Sequence, residues 1–171
     1  NMDVRFYFAP YGSISTAYED VDDSTIQWSE ILTKDIAKTF DSKGFSYRKE
    51  TKTSLSNPSS LSVYSYFRGI TGILFECADP GTGISRPVQV PPLYGKQWTL
   101  RDMVDYHHAA TKALLGSTAR NCMAILRDFH GVRVRALDKG IKSPPYAYVI
   151  PPGQDNVNDV SDLVKALLAH D

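Results

Sequence analysis

The chain has 171 residues, 19 of them basic and 19 acidic, so it has no formal net charge. That length suits one domain, or one domain and the start of another, with enough chain to bury a core. The charge balance argues against nucleic acid or an anionic membrane surface as partner and leaves a small neutral or peptide-like ligand open. No apolar run approaches the roughly 20 residues that cross a bilayer, and residues 1–20 show no basic stretch followed by an apolar one. Both ends read as cut from something longer.

In chain order, "VRFYFAP" alternates and is aromatic and β-branched, which predicts a strand closed by Pro10, Tyr11 and Gly12. "SISTAYEDVDD" reads as a linker. From Ser24 the period changes: Trp28, Ile31, Leu32, Ile36, Ala37 and Phe40 recur at helical spacing, and Gly44 stands where a C-terminal cap belongs. This predicts an amphipathic helix over 24–43. "FSYRKETKT" suits a short strand and "SLSNPSSLS" a polar loop of the kind that borders binding clefts.

"ITGILFECA" is almost continuously apolar, as in a strand covered on both faces in the middle of an α/β sheet. Glu76 then falls at the carboxyl end of an inner strand, where a charge is costly unless it faces a cleft, a cation or water. The bland alternative is a strand-end carboxylate paired with Arg68 or Arg86. Tyr64, Tyr66 and Phe67, just before this strand, suit core or cleft-wall positions. "DPGTGISRPVQVPP" is a Gly/Pro loop without the lysine of a phosphate-binding loop.

Thr99 and Asp102 make an approximate capping box for a long helix over 99–129. Its apolar stripe runs from Met103 and Tyr106 through Ala110 and Leu114 to Ile125, Leu126 and Phe129, and Gly116 is a place for it to bend. "DKGIKSPP" is the most linker-like stretch. "YAYVIP" reads as a strand, "PGQDNVND" as a turn with a helix cap and "VSDLVKALLAH" as a helix, together the first strand and helix of another α/β unit.

The remaining chemistry is sparse. Neither H-x-x-E nor H-E-x-x-H occurs, and the adjacent His107 and His108 point to different helix faces, the first toward the core and the second toward solvent. Cys77 and Cys122 read as buried free thiols, with a bridge or a reactive role as the alternative. Cys77 beside Glu76 makes a poor nucleophile pair, because neighbouring strand residues face opposite sides. No G-x-S-x-G marks a serine nucleophile.

The order of these elements, "FYFAPYG", the helix leaving through "KGFSY", the Ser/Pro loop, "YFRGITGILFECA" and a long helix, resembles the C-terminal half of the catalytic domain of zinc metallocarboxypeptidases, nearest to their divergent multidomain bacterial members. "RGITGILFE" matches the family's G-x-x-G-x-x-x-E pattern with Gly69, Gly72 and Glu76. "PYAYVIPPGQDNVNDVSDLVKALLAH" resembles the segment that follows the peptidase domain.

The resemblance implies an α/β, three-layer fold with a partial mixed sheet and a long terminal helix, divided into a peptidase part at 1–137 and a following strand–helix region at 138–171. It makes Glu76 the catalytic general base, Tyr64 a weak candidate for substrate binding, and a peptide with a free C-terminus the substrate. The family's zinc ligands, an H-x-x-E pair and a later histidine, precede the matched region. Zinc is therefore a cofactor of a full-length parent, none is expected in this chain, and the chain alone is expected to be inactive. A periplasmic or extracellular setting follows from the resemblance only. The alternative is a non-catalytic peptide-binding or interaction domain. Missing strands would leave a sheet edge open to self-association.

Overall fold

A computed structural model of the chain describes residues 6–9, 21–49, 61–77, 86–87 and 97–169. The elements are β1 (Phe6–Ala9), α1 (Asp23–Lys43), β2 (Arg48–Lys49), α2 (Leu61–Phe67), β3 (Leu74–Cys77), β4 (Arg86–Pro87), β5 (Gln97–Trp98), α3 (Leu100–Lys142) and α4 (Val157–Ala169). The expected turn at Pro10–Gly12, most of the "SISTAYEDVDD", "SLSNPSSLS" and "DPGTGISRPVQVPP" stretches, and His170 lie outside the described residues.

Helix α1 forms where its caps and apolar period place it. The Asp22 carboxylate accepts from the Ser24 backbone N–H at 3.0 Å, and Gly44 closes the helix in the left-handed region at φ 66°, donating its N–H back into the last turn. The capping box predicted for α3 is present: the Asp102 carboxylate accepts from the Thr99 backbone N–H at 2.9 Å and from its hydroxyl at 2.6 Å. The helix it opens runs 43 residues, through the "VRVRAL" stretch and into "DKGIKSPP", whose first five residues are helical rather than linker. Lys142 to Asp138, four positions apart, gives that last turn an ion pair at 2.7 Å.

Contacts between α1 and α3 fall in a descending register. Asp22 meets Arg135, Trp28 meets Asp128, Asp35 meets Ser117 and Arg120, and Phe40 meets Tyr106. As one number rises the other falls, so the two helices are antiparallel. Ile36, Ala37 and Phe40 from α1 bury against Tyr106, Ala109 and Ala110 from α3, with Trp98 sealing the cluster. Phe45 stacks on Tyr106 with ring centroids 4.1 Å apart, and Phe40, Phe45 and Trp98 each approach at least one other ring of the group. Aromatic pairs in these geometries add to area burial. Burial pushes the Tyr106 phenol up in pKa, while its oxygen accepts from the Ser46 backbone N–H at 3.0 Å.

The expected α/β three-layer fold is overturned. The described residues are mostly helical, and the strands are two to four residues long. β1 pairs in parallel with β2 and antiparallel with β3, giving the order β2-β1-β3, and β4 pairs only with β5. The main core lies between two helices, so it needs no sheet layer covered on both sides. β3 is correspondingly an edge strand of its three-stranded sheet, with alternate rather than continuous burial. Phe75 and Cys77 pack on the core, whereas Leu74 and Glu76 are exposed.

The chain divides into two compact units, Asn1–Arg135 and Ala136–Asp171. In the second unit "YAYVIP" forms neither strand nor helix. The predicted helix is present as α4, capped by Asn156, whose side-chain oxygen accepts from the Asn158 and Asp159 backbone N–H groups. No residue of α4 is buried.

Candidate functional site

The "RGITGILFE" stretch folds as a connection rather than as one strand. Helix α2 ends at Phe67, Gly69 takes φ 70°, and only Leu74–Cys77 are strand. Both glycines have local reasons. A Cβ on Gly69 would stand 2.9 Å from Val132 Cγ1, and one on Gly72 would overlap the Ser62 carbonyl oxygen and the Ser65 hydroxyl. Thr71 donates its hydroxyl to the Thr25 carbonyl at 2.7 Å, tying the connection to the first turn of α1.

Glu76 is exposed and stands opposite Tyr7 in the β1–β3 register. The residue next to it, Cys77, is half-buried, and burial pushes its thiol up to about 12, so it stays protonated and a poor nucleophile at neutral pH. Both thiols are free, as expected, but Cys122 is exposed on α3 and Cys77 only half-buried, which corrects the expected burial of the two. Tyr64 is half-buried on α2. Tyr66 is buried with Val21 and Val63, donates its hydroxyl to the Gly72 carbonyl at 3.0 Å, and burial carries its phenol to about 12. Its role is to hold the glycine connection. His107 is half-buried and His108 exposed, as helical geometry predicts. Among the described residues no three His, Cys, Asp or Glu side chains gather as a metal site.

A cleft of about 420 Å³ opens on another part of the same unit. Thr25, Trp28 and Leu32 supply one wall from a single face of α1. Ile70 and Ile73 supply a second from the glycine connection, and Leu114, Ile125 and Phe129 a third from α3. Asp128 is the one ionisable group among the described lining residues, and its carboxylate accepts from the Trp28 indole N–H at 2.8 Å. Thr25 is only 3 % exposed, and its hydroxyl oxygen is buried with no hydrogen-bond partner among the described residues. Neither Glu76 nor Tyr64 lines this cleft.

The sequence shows the apolar stripes of both helices but does not separate core positions from cleft positions. The signal that would have distinguished them is excess: α3 carries more apolar positions than α1 can cover, and Leu115 and Leu126 remain exposed. No helix of the described residues is long and apolar enough to cross a membrane. No family model matches the chain, and no curated protein or solved structure matches it either.

Proposed function

We propose that this chain contributes the general base of a peptidase that cleaves C-terminal peptide bonds, with Glu76 as the carboxylate that takes a proton from the attacking water and passes it to the leaving amine. One observation supports this reading above others. The Gly69, Gly72 and Glu76 spacing of the metallocarboxypeptidase pattern coincides with a connection in which Gly72 admits no Cβ and a strand that holds an exposed carboxylate on backbone paired with β1. Tyr64 is the substrate-binding candidate on the preceding helix. The metal such a reaction uses finds no site among the described residues, and the base is what this chain adds.

The test belongs in the longer protein that the resemblance implies. With a peptide bearing a free C-terminus as substrate, Glu76→Gln lowers kcat by roughly 10²–10⁴-fold while metal content stays unchanged. Undiminished kcat overturns the assignment. The second reading, a non-catalytic binding module, draws on the apolar cleft, whose lining does not include Glu76. Peptide binding without turnover in the wild-type protein would select it.

A further inference from the structure

We propose that a second groove, between the C-terminal end of α1 and the first half of α3, binds a phosphate monoester, with Lys43 and Lys112 holding the phosphate. The groove has a volume of about 510 Å³, within the roughly 300–1,000 Å³ of small-molecule sites. Its described lining shares no residue with the apolar cleft and includes neither Glu76 nor Tyr64. On the α1 side stand Thr39 and Lys43, and on the α3 side Asp105, His108 and Lys112, each set spaced to share one helix face. Ala109 and Ala113 are the more buried lining positions of α3, and their short side chains leave the space between the helices open. Phe45 completes the lining. Its ring is stacked on Tyr106 at 4.1 Å, and Tyr106 is in turn held by the Ser46 backbone N–H at 3.0 Å. That part of the wall is ordered before a ligand arrives, which spares the ordering cost of binding.

Charge selects the ligand class. Lys43 and Lys112 are exposed, and neither has an ion-pair partner among the described residues. Asp105, the one carboxylate of the described lining, already accepts from Arg101 Nε at 3.0 Å. Thr39 has its hydroxyl proton on the Asp35 carbonyl at 3.0 Å. The donors left to the groove are two ammonium groups and the His108 ring N–H. The chain has no formal net charge, so the attraction for an anion is local to this groove and not shared by the whole surface. No arginine stands in the described lining to match a planar carboxylate with its fork. Two ammonium groups act as point charges and suit a compact dianion, which is the form of a phosphate group. A bare phosphate leaves most of the groove empty, whereas an ester lays its organic group against Phe45, Ala109 and Ala113.

The experiment titrates phenyl phosphate, inorganic phosphate and benzoate into the full chain in a low-salt, phosphate-free buffer, read by calorimetry and by backbone amide NMR shifts. Phenyl phosphate is expected to bind saturably, one molecule per chain, and to shift the amides of Lys43, Ala109, Lys112 and Ala113. Inorganic phosphate should shift the same amides with weaker affinity, and benzoate should bind roughly tenfold or more weakly than the ester. Lys43→Gln and Lys112→Gln, both at exposed positions, should each weaken phenyl phosphate about five- to tenfold with Tm unchanged. Lys34→Gln, on α1 but outside the lining, should leave the affinity as it is. Non-saturable binding, shifts that miss Ala109 and Ala113, inorganic phosphate or benzoate bound as tightly as the ester, or an equal loss with Lys34→Gln overturns the proposal.

Discussion

Arg135 reaches the Asp22 carboxylate through two nitrogens, at 2.7 and 2.8 Å, and so joins the far end of one helix face to the N-cap of another. Asp22 is only partly exposed, and the Arg135 hydrogen bond, with those from Ser24, outweighs burial and holds its carboxyl at about 2 instead of 3.8. A folded-state pKa below the unfolded one means that the ion pair contributes stability in full above about pH 4 and loses it as pH falls through about 2. Asp22→Asn keeps a good cap and removes the charge. The variant should therefore be less stable than wild type at pH 7, with the gap closing between pH 4 and pH 2 in urea melts followed by circular dichroism. Asp22→Ala loses the cap as well, at a further cost of about 1 kcal/mol. At the same scale, buried Ser117 donates to Asp35 at 2.7 Å, and this bond, with Lys38 and Arg120, pulls the Asp35 carboxyl below its ordinary range.

Among the elements, the glycines separate conformational demand from steric demand. Gly44 has a positive φ of 66° and open space around its missing Cβ. Gly44→Ala should cost only the left-handed conformation, about 1–2 kcal/mol. Gly72 has no positive φ, but its missing Cβ position is occupied by the Ser62 carbonyl. Backbone cannot swing aside as a side chain does, so Gly72→Ala should cost more, about 3 kcal/mol, and should displace α2. Denaturation midpoints rank the two, and equal losses would contradict the account. Helices were legible in the sequence because caps and apolar periods are properties of neighbours three and four positions apart. Of the strands, β1 and β2 lie within stretches that read as strands, whereas the bounds of β3 were not legible. "ITGILFECA" is apolar throughout, and nothing within it records that Ile70 and Ile73 line a cleft while only Leu74–Cys77 join β1.

For the whole molecule, burial is uneven, and stability should follow it. Trp98 is 1 % exposed at the junction of α1 and α3, and Trp98→Ala should cost about 3–5 kcal/mol. No residue of α4 is buried, and Leu167→Ala there should change the unfolding free energy by about 0.5 kcal/mol or less. Chemical denaturation of both variants checks the contrast. Local features were legible in the sequence: the starts of α1 and α3 to within a residue, the Gly44 cap, the Thr99–Asp102 box, a helix in the C-terminal stretch, the different faces of His107 and His108, and the lack of any long apolar run. Each depends on residues within one or two turns of each other. Tertiary packing determines that Glu76 is exposed on an edge strand, that Cys122 faces solvent, that the main core lies between helices, and that Ile70 and Ile73 line an apolar cleft. Those outcomes depend on which distant segment covers each face, and a stripe of apolar side chains looks the same in sequence whether a helix, a ligand or nothing lies against it.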